Sequence, residues 1–115
     1  MQVDPNDVPL RLTPARVRLM LGEPAEALTV LDAIGPDDAP AWRTQTLRGR
    51  ALVALNRYDE ARAALTESLK INPDPAEALY FLARVHEHAE EWQAAANAYR
   101  QAYEKSSAGE SLTEQ

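Results

Sequence analysis

The sequence predicts an all-α fold of stacked antiparallel helix pairs, and two observations support that prediction. First, a pattern of small and bulky residues recurs every 34 residues in three registers. The small residues are Ala15, Gly49, Ala83 and Ala27, Ala61, Ala95, and the bulky ones that follow are Leu31, Leu65 and Tyr99. Second, apolar residues within each interval follow the three-four spacing of helices that are buried on one side. Helix pairs of this kind bury their core between neighbours, so about three are needed for a stable solenoid.

The first helix pair is predicted from its boundary residues. Thr13 resembles an N-cap with Pro14 behind it, so the first helix is expected over 14–21. The second helix is expected over 24–34, and the Gly-Pro-Asp-Asp segment at 35–38 ends it.

The second and third pairs follow from the same signals. The second pair is expected near 39–55 and 58–70. A turn is expected at 72–75, because proline lacks a backbone donor and disfavours helix just before it. The third pair starts with a helix over 75–89, and a break near 90–91 leads into the last helix.

These elements divide the chain into three parts. Residues 1–12 are expected to form an extended N-terminal segment and residues 13–105 the repeat domain. Residues 106–115 are rich in Ser and Glu and are expected to form a flexible C-terminal tail.

Composition narrows the function classes. The 115 residues fit one domain, with 18 acidic against 12 basic residues and a net charge of −6, which disfavours binding to nucleic acid. Cysteine is absent, which excludes disulfides and thiolate chemistry. No segment resembles a signal peptide or the roughly 18 apolar residues of a membrane span. A cytoplasmic location is therefore favoured, with the periplasm open if a leader was removed, and the preference for Arg over Lys points to a bacterial source.

Catalytic and metal-binding motifs are missing from the pattern. His86 and His88 lie two residues apart on a helix, so they point to different faces and cannot share one metal ion. The four glycines are scattered and form no phosphate-binding loop, and no serine stands in a catalytic motif. The sequence therefore predicts no enzyme, no cofactor and no metal.

The repeating segments resemble tetratricopeptide repeats. The strongest match is the run from Gly49 to Ala61 (GRALVALNRYDEA), and the next is the run from Ala78 to Ala83 (ALYFLA). The remaining matching residues are Ala15, Leu21, Gly22, Glu26, Ala27, Leu28, Leu31, Ala64, Leu65, Leu69, Asn72, Pro73, Trp92, Ala95, Tyr99 and Ala102. The resemblance covers residues 13–105, with the first repeat shortened. The chain departs from the family pattern at Pro24, Arg48 and Ser68, where an aromatic residue, Leu and Ala are usual.

This resemblance implies a right-handed superhelix whose concave groove is lined by the first helix of each pair. Such a groove commonly holds a peptide or helix of another protein. The chain is therefore expected to be a protein–protein interaction module, as an adaptor or assembly factor in a larger complex. Two alternatives stay open: a structural or oligomerisation segment, and the non-catalytic part of a larger enzyme or export machine.

Periodicity indicates which residues line that groove. On the helix over 75–89, the groove face is the one opposite the packing residues, and the same positions recur 34 residues earlier. The predicted groove residues are Arg16, Arg43, Thr46, Leu47, Arg50, Tyr80, Phe81, Arg84 and His88. Arg16, Arg50 and Arg84 form a ladder that is expected to project into one groove and to bind carboxylates of an acidic partner. The alternative is that these arginines pair with nearby acids or stay solvated.

The last helix carries a further apolar edge. Trp92, Tyr99 and Tyr103 are expected to stay uncovered at the end of the array. Either this edge continues into a longer array, or it meets a partner or a second copy of the chain.

Overall fold

The structure, a computed structural model, describes the backbone of residues 8–35, 39–72 and 75–114 and the side chains of 12–35, 39–72 and 75–106. These residues form six α-helices and no strand. The helices are α1 (Val8–Met20), α2 (Pro24–Asp32), α3 (Ala41–Ala54), α4 (Tyr58–Ile71), α5 (Ala76–His88) and α6 (Trp92–Glu114). The all-helical prediction is confirmed, and α2 to α5 begin and end within two residues of the expected positions.

The start of α1 differs from the prediction. The helix begins at Val8, so Thr13 is not its N-cap, and Pro14 lies inside it. A proline in the helix interior removes one hydrogen bond, here to the carbonyl of Leu10. The Thr-Pro pair has the same local appearance at a helix start and in a helix interior, which is why the sequence pattern placed the boundary too late.

The end of α6 also differs from the expected bound. The helix continues to Glu114, although a flexible tail was expected from residue 106. Each residue added to a helix that is already formed gains one hydrogen bond, and this gain offsets the weak helix propensity of Ser and Gly. The division into segments 1–12, 13–105 and 106–115 stays a prediction. Residues 1–7, 36–38, 73–74 and 115 lie outside the described residues, and with them the middle of the turn expected at 72–75.

The turns inside the helix pairs repeat in the backbone itself. Gly22, Asn56 and Glu90 have positive φ angles of 76°, 62° and 63°, and they are 34 residues apart. The amides of Glu23, Arg57 and Glu91 donate to the carbonyls of Arg18, Leu52 and His86 at 2.8, 2.8 and 2.9 Å. A left-handed residue followed by a bond of this span is the Schellman arrangement that ends a helix. The 34-residue period of side-chain size is therefore also the period at which the backbone turns from one helix of a pair into the next.

Small residues let the two helices of each pair approach closely. Ala15, Ala27, Ala61 and Ala83 are fully buried, as the pattern predicted. Gly49 has the tightest contact, because a Cβ atom built on it would lie 2.5 Å from Leu65 Cγ and Cδ2. Leu65 itself is fully buried and belongs to a core cluster that α3, α4 and α5 share.

Two of the three departures from the family pattern are accommodated by polar contacts. Ser68 is fully buried, and its hydroxyl lies 2.6 Å from the Thr46 hydroxyl and 2.9 Å from the Trp42 carbonyl. Arg48 reaches outward and forms an ion pair with Asp32 at 2.7 Å. Pro24 stands at the first position of α2, where its missing N–H costs no hydrogen bond.

The array curves with the first helices of the pairs on the inside. α1 contacts α3 and α3 contacts α5, whereas α2 does not contact α4 and α4 does not contact α6 within the described residues. The radius of gyration is 14.6 Å, against about 13 Å for a compact globule of this length. We call the combined face of α1, α3 and α5 the inner surface.

Candidate functional site

One end of the inner surface carries a small basic cavity, which we call the arginine cavity. It has a volume of about 330 Å³ and lies between α1, α3 and the start of α5. Arg16 and Arg43 line it together with Trp42, and the Arg43 guanidinium carbon lies 4.9 Å from the centre of the indole ring. The two guanidiniums make this cavity suited to an anionic group beside a flat apolar surface.

Arg50 and Glu77 mark the boundary of the next cavity. Arg50 Nη1 donates to Glu77 Oε2 at 3.3 Å across α3 and α5. Glu77 lines both the arginine cavity and the larger cavity beside it. Both side chains remain partly exposed, so the pair is a weak one that a ligand can replace.

Phe81 connects two members of the predicted ladder. The guanidinium carbons of Arg50 and Arg84 each lie 5.8 Å from the centre of the Phe81 ring. Contacts of this kind combine a cation–π attraction with packing of the flat guanidinium. One half-buried aromatic ring thus contacts two guanidiniums, which come from the first helices of two successive pairs, α3 and α5.

The larger cavity is aromatic, and we call it the aromatic cavity. It has a volume of about 690 Å³, and Tyr80, Phe81, Tyr99 and Tyr103 line it between α5 and α6. The Tyr80 ring meets Phe81 and Tyr99 edge-on, at 5.0 and 5.7 Å between ring centres. Such edge-on contacts stabilise the rings in one arrangement and leave an apolar floor.

Tyr99 has a raised pKa in this cavity. Its hydroxyl donates to Glu87 Oε1 at 2.8 Å. Burial raises the pKa of Tyr99 to about 12, and the hydrogen bond and charge of Glu87 add to the rise. The hydroxyl therefore stays a neutral donor at physiological pH.

Arg84 and His88 lie beside a third, smaller cavity. It has a volume of about 210 Å³, and Tyr58 and Glu87 complete its lining. The His88 ring stacks on Tyr58 at 3.7 Å with an angle of 10° between the planes. His88 is therefore held against the start of α4 and does not reach the arginine or aromatic cavity.

The structure groups the predicted residues in a different way from the sequence pattern. Arg16 and Arg43 meet in the arginine cavity, while Arg50 and Arg84 meet on Phe81. The three ladder arginines each line a different cavity, so the spacing of 34 does not bring them to one point.

Two predicted residues are almost entirely covered. Leu47 is 2 % exposed and packs in a core cluster with Leu12 and Leu31, and Thr46 is 4 % exposed. Thr46 is turned towards α4 because its hydroxyl bonds to Ser68 and to the carbonyl of Trp42. Only small edges of Thr46 and Leu47 reach the arginine cavity.

Sequence reasoning missed several lining residues. Trp42 and Glu77 line the arginine cavity, and Tyr99 and Tyr103 line the aromatic cavity in addition to forming the expected edge. The adjacency of Trp42 to Arg43 at the start of α3 is a signal for the first cavity. The shape of the aromatic cavity depends on the angle between α5 and α6. The sequence contains no signal for that angle comparable to the Trp42-Arg43 pair.

The opposite side of the array has a cavity of similar size, which we call the outer cavity. It has a volume of about 670 Å³ and lies among α2, α3 and α4. Its charged residues are Asp32, Arg48, Arg57, Glu60 and Glu67. Arg48 pairs with Asp32, and Arg57 donates two bonds of 2.7 Å to Glu60, so both arginines already have carboxylate partners.

Metal and membrane sites are not evident in the part of the chain that the structure describes. No group of three His, Cys, Asp or Glu residues is placed to hold a metal ion there. His86 Nδ1 lies 2.6 Å from Glu91 Oε1, which also accepts from Arg62, and these two bonds lower the pKa of Glu91. None of the described helices combines the length and apolar character that crossing a bilayer requires.

Comparison with known proteins identifies the kind of repeat. Residues 46–110, more than half of the chain, match the profile of the tetratricopeptide repeat family. No curated protein and no solved structure gave a significant match. The helices α1 and α2 lie outside the matched residues, so their status as a further repeat of this type stays a prediction. Tetratricopeptide repeats are in general protein–protein interaction modules and are typically non-catalytic. The match and the six-helix architecture show that this chain belongs to the tetratricopeptide repeat family.

Proposed function

We propose that the inner surface binds an acidic segment of another protein, in an adaptor or assembly role within a larger complex. The observation that carries this proposal is an excess of positive charge. The arginine cavity, the aromatic cavity and the smaller cavity beside Arg84 are together lined by four arginines and two glutamates, in a chain whose net charge is −6. An acidic chain with a locally basic surface attracts carboxylates to that surface in particular.

The arrangement around Phe81 supports the same proposal. Arg50 and Arg84 are held on one ring, so they lose less side-chain freedom when a carboxylate binds. A guanidinium also offers two parallel donors to a carboxylate. The outer cavity is a weaker candidate because both of its arginines are paired with acids at 2.7 Å, whereas the only such pair of Arg50 among the described residues is the longer 3.3 Å contact with Glu77.

The aromatic cavity adds an apolar element to the recognition. Aromatic side chains in a concave site are frequent anchors of protein interfaces. Tyr80 and Tyr103 are the exposed rings of this cavity, and Arg50 lines it as well. We therefore expect the partner segment to place a bulky apolar residue next to its acidic residues.

The test is a selection from a displayed random-peptide library on the immobilised chain. The double variant Arg50→Ala/Arg84→Ala removes two inner charges. The variant Arg57→Ala/Arg62→Ala removes one charge at the N-cap of α4 and one within α4, and it is the matched control. We expect selected peptides to be acidic and to lose roughly tenfold or more in affinity with the first variant only.

Salt dependence sharpens this test. Binding through Arg50 and Arg84 weakens as salt rises, and the slope becomes flatter in the first variant. Circular dichroism checks that both variants keep their helix content. Equal losses of affinity in the two variants would reject the inner surface as the binding site, and so would selected peptides without acidic residues.

A second candidate function is a structural or oligomerisation role. The observation that favours it is the exposure of Trp92 and Tyr103 on α6, at 62 % and 73 %. Tyr103 also lines the aromatic cavity, so an interface on this side of α6 would adjoin that cavity.

A further inference from the structure

The arginine cavity contains two guanidiniums that no acid of the described chain neutralises. Arg16 comes from α1 and Arg43 from α3, and both line this cavity. Neither forms an ion pair with an acid within the described residues. Most arginines with described side chains do hold a carboxylate, at 2.7 to 3.3 Å, namely Arg18, Arg48, Arg50, Arg57 and Arg62. This cavity thus brings together two arginines that lack the usual partner.

The charges around the arginine cavity leave an excess of two positive charges. Among its described lining residues Glu77 is the one acid, and Glu77 is shared with Arg50 at 3.3 Å. The guanidiniums of Arg16, Arg43 and Arg50 therefore stand against one carboxylate. The other lining side chains are uncharged, namely Trp42, Thr46, Leu47, Asn72 and Ala76. One Asp or Glu of a partner neutralises half of this excess, whereas a phosphate monoester carries about −1.5 to −2 at pH 7 and neutralises nearly all of it.

The aromatic wall of this cavity is anchored to the neighbouring helix α4. The Trp42 carbonyl lies 2.8 Å from the Thr46 hydroxyl and 2.9 Å from the Ser68 hydroxyl, and these two hydroxyls are 2.6 Å apart. This polar group ties the first turn of α3 to α4. The Arg43 guanidinium carbon lies 4.9 Å from the centre of the Trp42 ring. The charge therefore rests on a fixed wall, which lowers the ordering cost of binding an anion.

We propose that the arginine cavity binds a phosphorylated side chain of the partner segment. This inference rests on the proposed function, since it names the group that the inner surface recognises at this end. A phosphate presents three acceptor oxygens on one centre, so guanidiniums from α1 and α3 can bind the same group. The expected source is a protein rather than a small molecule. Glu77 also lines the aromatic cavity, so the site continues into a surface that a chain segment can follow.

Phosphopeptide titration tests this inference. In an acidic peptide selected on the chain, each acidic residue in turn is replaced by phosphoserine. At one position the phosphopeptide should bind roughly tenfold tighter than its parent, because hydrogen bonds between charged groups are strong ones. A peptide with two adjacent glutamates at that position has a similar charge and should lack this gain. Equal binding by the two-glutamate peptide would overturn the proposal in favour of charge alone.

Two double variants locate the phosphate. Arg16→Ala/Arg43→Ala removes both unpaired charges and should abolish the gain from phosphoserine. Arg18→Ala/Arg48→Ala also removes one charge from α1 and one from α3, but both of these arginines are paired with acids at 2.7 Å and line neither the arginine nor the aromatic cavity. This control should keep the gain, and circular dichroism checks the helix content of both variants. A gain of the same size in both variants would overturn the proposal.

Small probes separate this inference from the proposed function. Phenyl phosphate and benzoate are compared at equal ionic strength through the side-chain Nε–H signals of Arg16 and Arg43 in the labelled chain. Phenyl phosphate should shift both signals in a saturable way near neutral pH, and benzoate should shift them far less. Peptide binding without any gain from phosphoserine would overturn this inference and leave the proposed function standing. Saturable shifts with phenyl phosphate but no binding of any peptide would overturn the proposed function and the protein source together.

Discussion

Arg50 of α3 and Glu77 of α5 form an ion pair with 3.3 Å between Nη1 and Oε2, where the arginine and aromatic cavities adjoin. A carboxylate that binds Arg50 must therefore compete with a carboxylate of the chain itself. The pair also links two successive first helices on the inner surface. Its strength consequently affects how easily this surface accepts an acidic partner.

Removing the charge of Glu77 should strengthen the binding of an acidic peptide. An exposed ion pair is worth up to about 1 kcal/mol, so Glu77→Gln should raise the affinity by up to about fivefold. Isothermal titration calorimetry with a selected acidic peptide measures the change, and Glu60→Gln on the outer surface is the charge-matched control. Weaker binding by Glu77→Gln would indicate instead that Glu77 contacts a basic residue of the partner.

Adding one methyl group at Gly49 should destabilise the fold. Its new Cβ would meet the fully buried Leu65 at 2.5 Å. Overpacking costs about 1–3 kcal/mol and the gain in helix propensity is about 1 kcal/mol, so Gly49→Ala should lose about 1 kcal/mol in the free energy of unfolding. Urea denaturation measures this loss.

A double-mutant cycle identifies the cause of that loss. Leu65→Ala alone should cost about 2–5 kcal/mol, and it should cost less in a chain that already carries Gly49→Ala. Additive effects of the two substitutions would contradict the close contact between Gly49 and Leu65.

Replacing Glu90 by glycine should stabilise the fold. Glu90 has a φ of 63°, in the left-handed region that is unfavourable for a residue with a side chain. The equivalent residue two helix pairs earlier is Gly22, which has a φ of 76°. Glu90→Gly should raise the free energy of unfolding by about 1 kcal/mol. Ala89→Gly is the control, because Ala89 has an ordinary φ of −80° and should lose stability. Equal signs for the two substitutions would contradict the assigned turn.

Tyr99 should ionise late in an alkaline titration. Its pKa is raised to about 12 from an ordinary value of 10.0, first by burial and then by Glu87. The folded state therefore holds this proton more tightly than the unfolded state, so the stability it contributes is complete below pH 10 and is lost as pH rises towards about 12.

Ultraviolet absorbance of tyrosinate checks this order of ionisation. Tyr99→Phe should remove the late component of the titration. Glu87→Gln should move it to lower pH, since the charge of Glu87 is one of the causes of the shift. A titration with no component above the ordinary tyrosine range would show that Tyr99 is not held as described.

The helix pairs were predictable because their signals are local and repeat. The size pattern at Gly49, Ala61 and Leu65 reports how closely two helices approach, and this contact lies within one pair. The start of α1 was not predictable, because Thr13-Pro14 is compatible with both a helix start and a helix interior.

The inner surface was predictable only as a set of positions. Thr46 occupies the same place in its repeat as the exposed Tyr80, but its hydroxyl finds Ser68 across the pair and turns inward. The contact of Arg50 and Arg84 with Phe81 depends on the distance between α3 and α5. Such distances are set by packing between repeats, which a period along the chain does not encode.

Amide chemical-shift mapping of the labelled chain with a selected acidic peptide shows whether the inner surface is the binding site. The largest shifts should fall in α3 and α5, around Arg43, Arg50, Tyr80 and Arg84, and should fade towards α4. Shifts centred on the outer cavity, around Arg48 and Arg57, would contradict it.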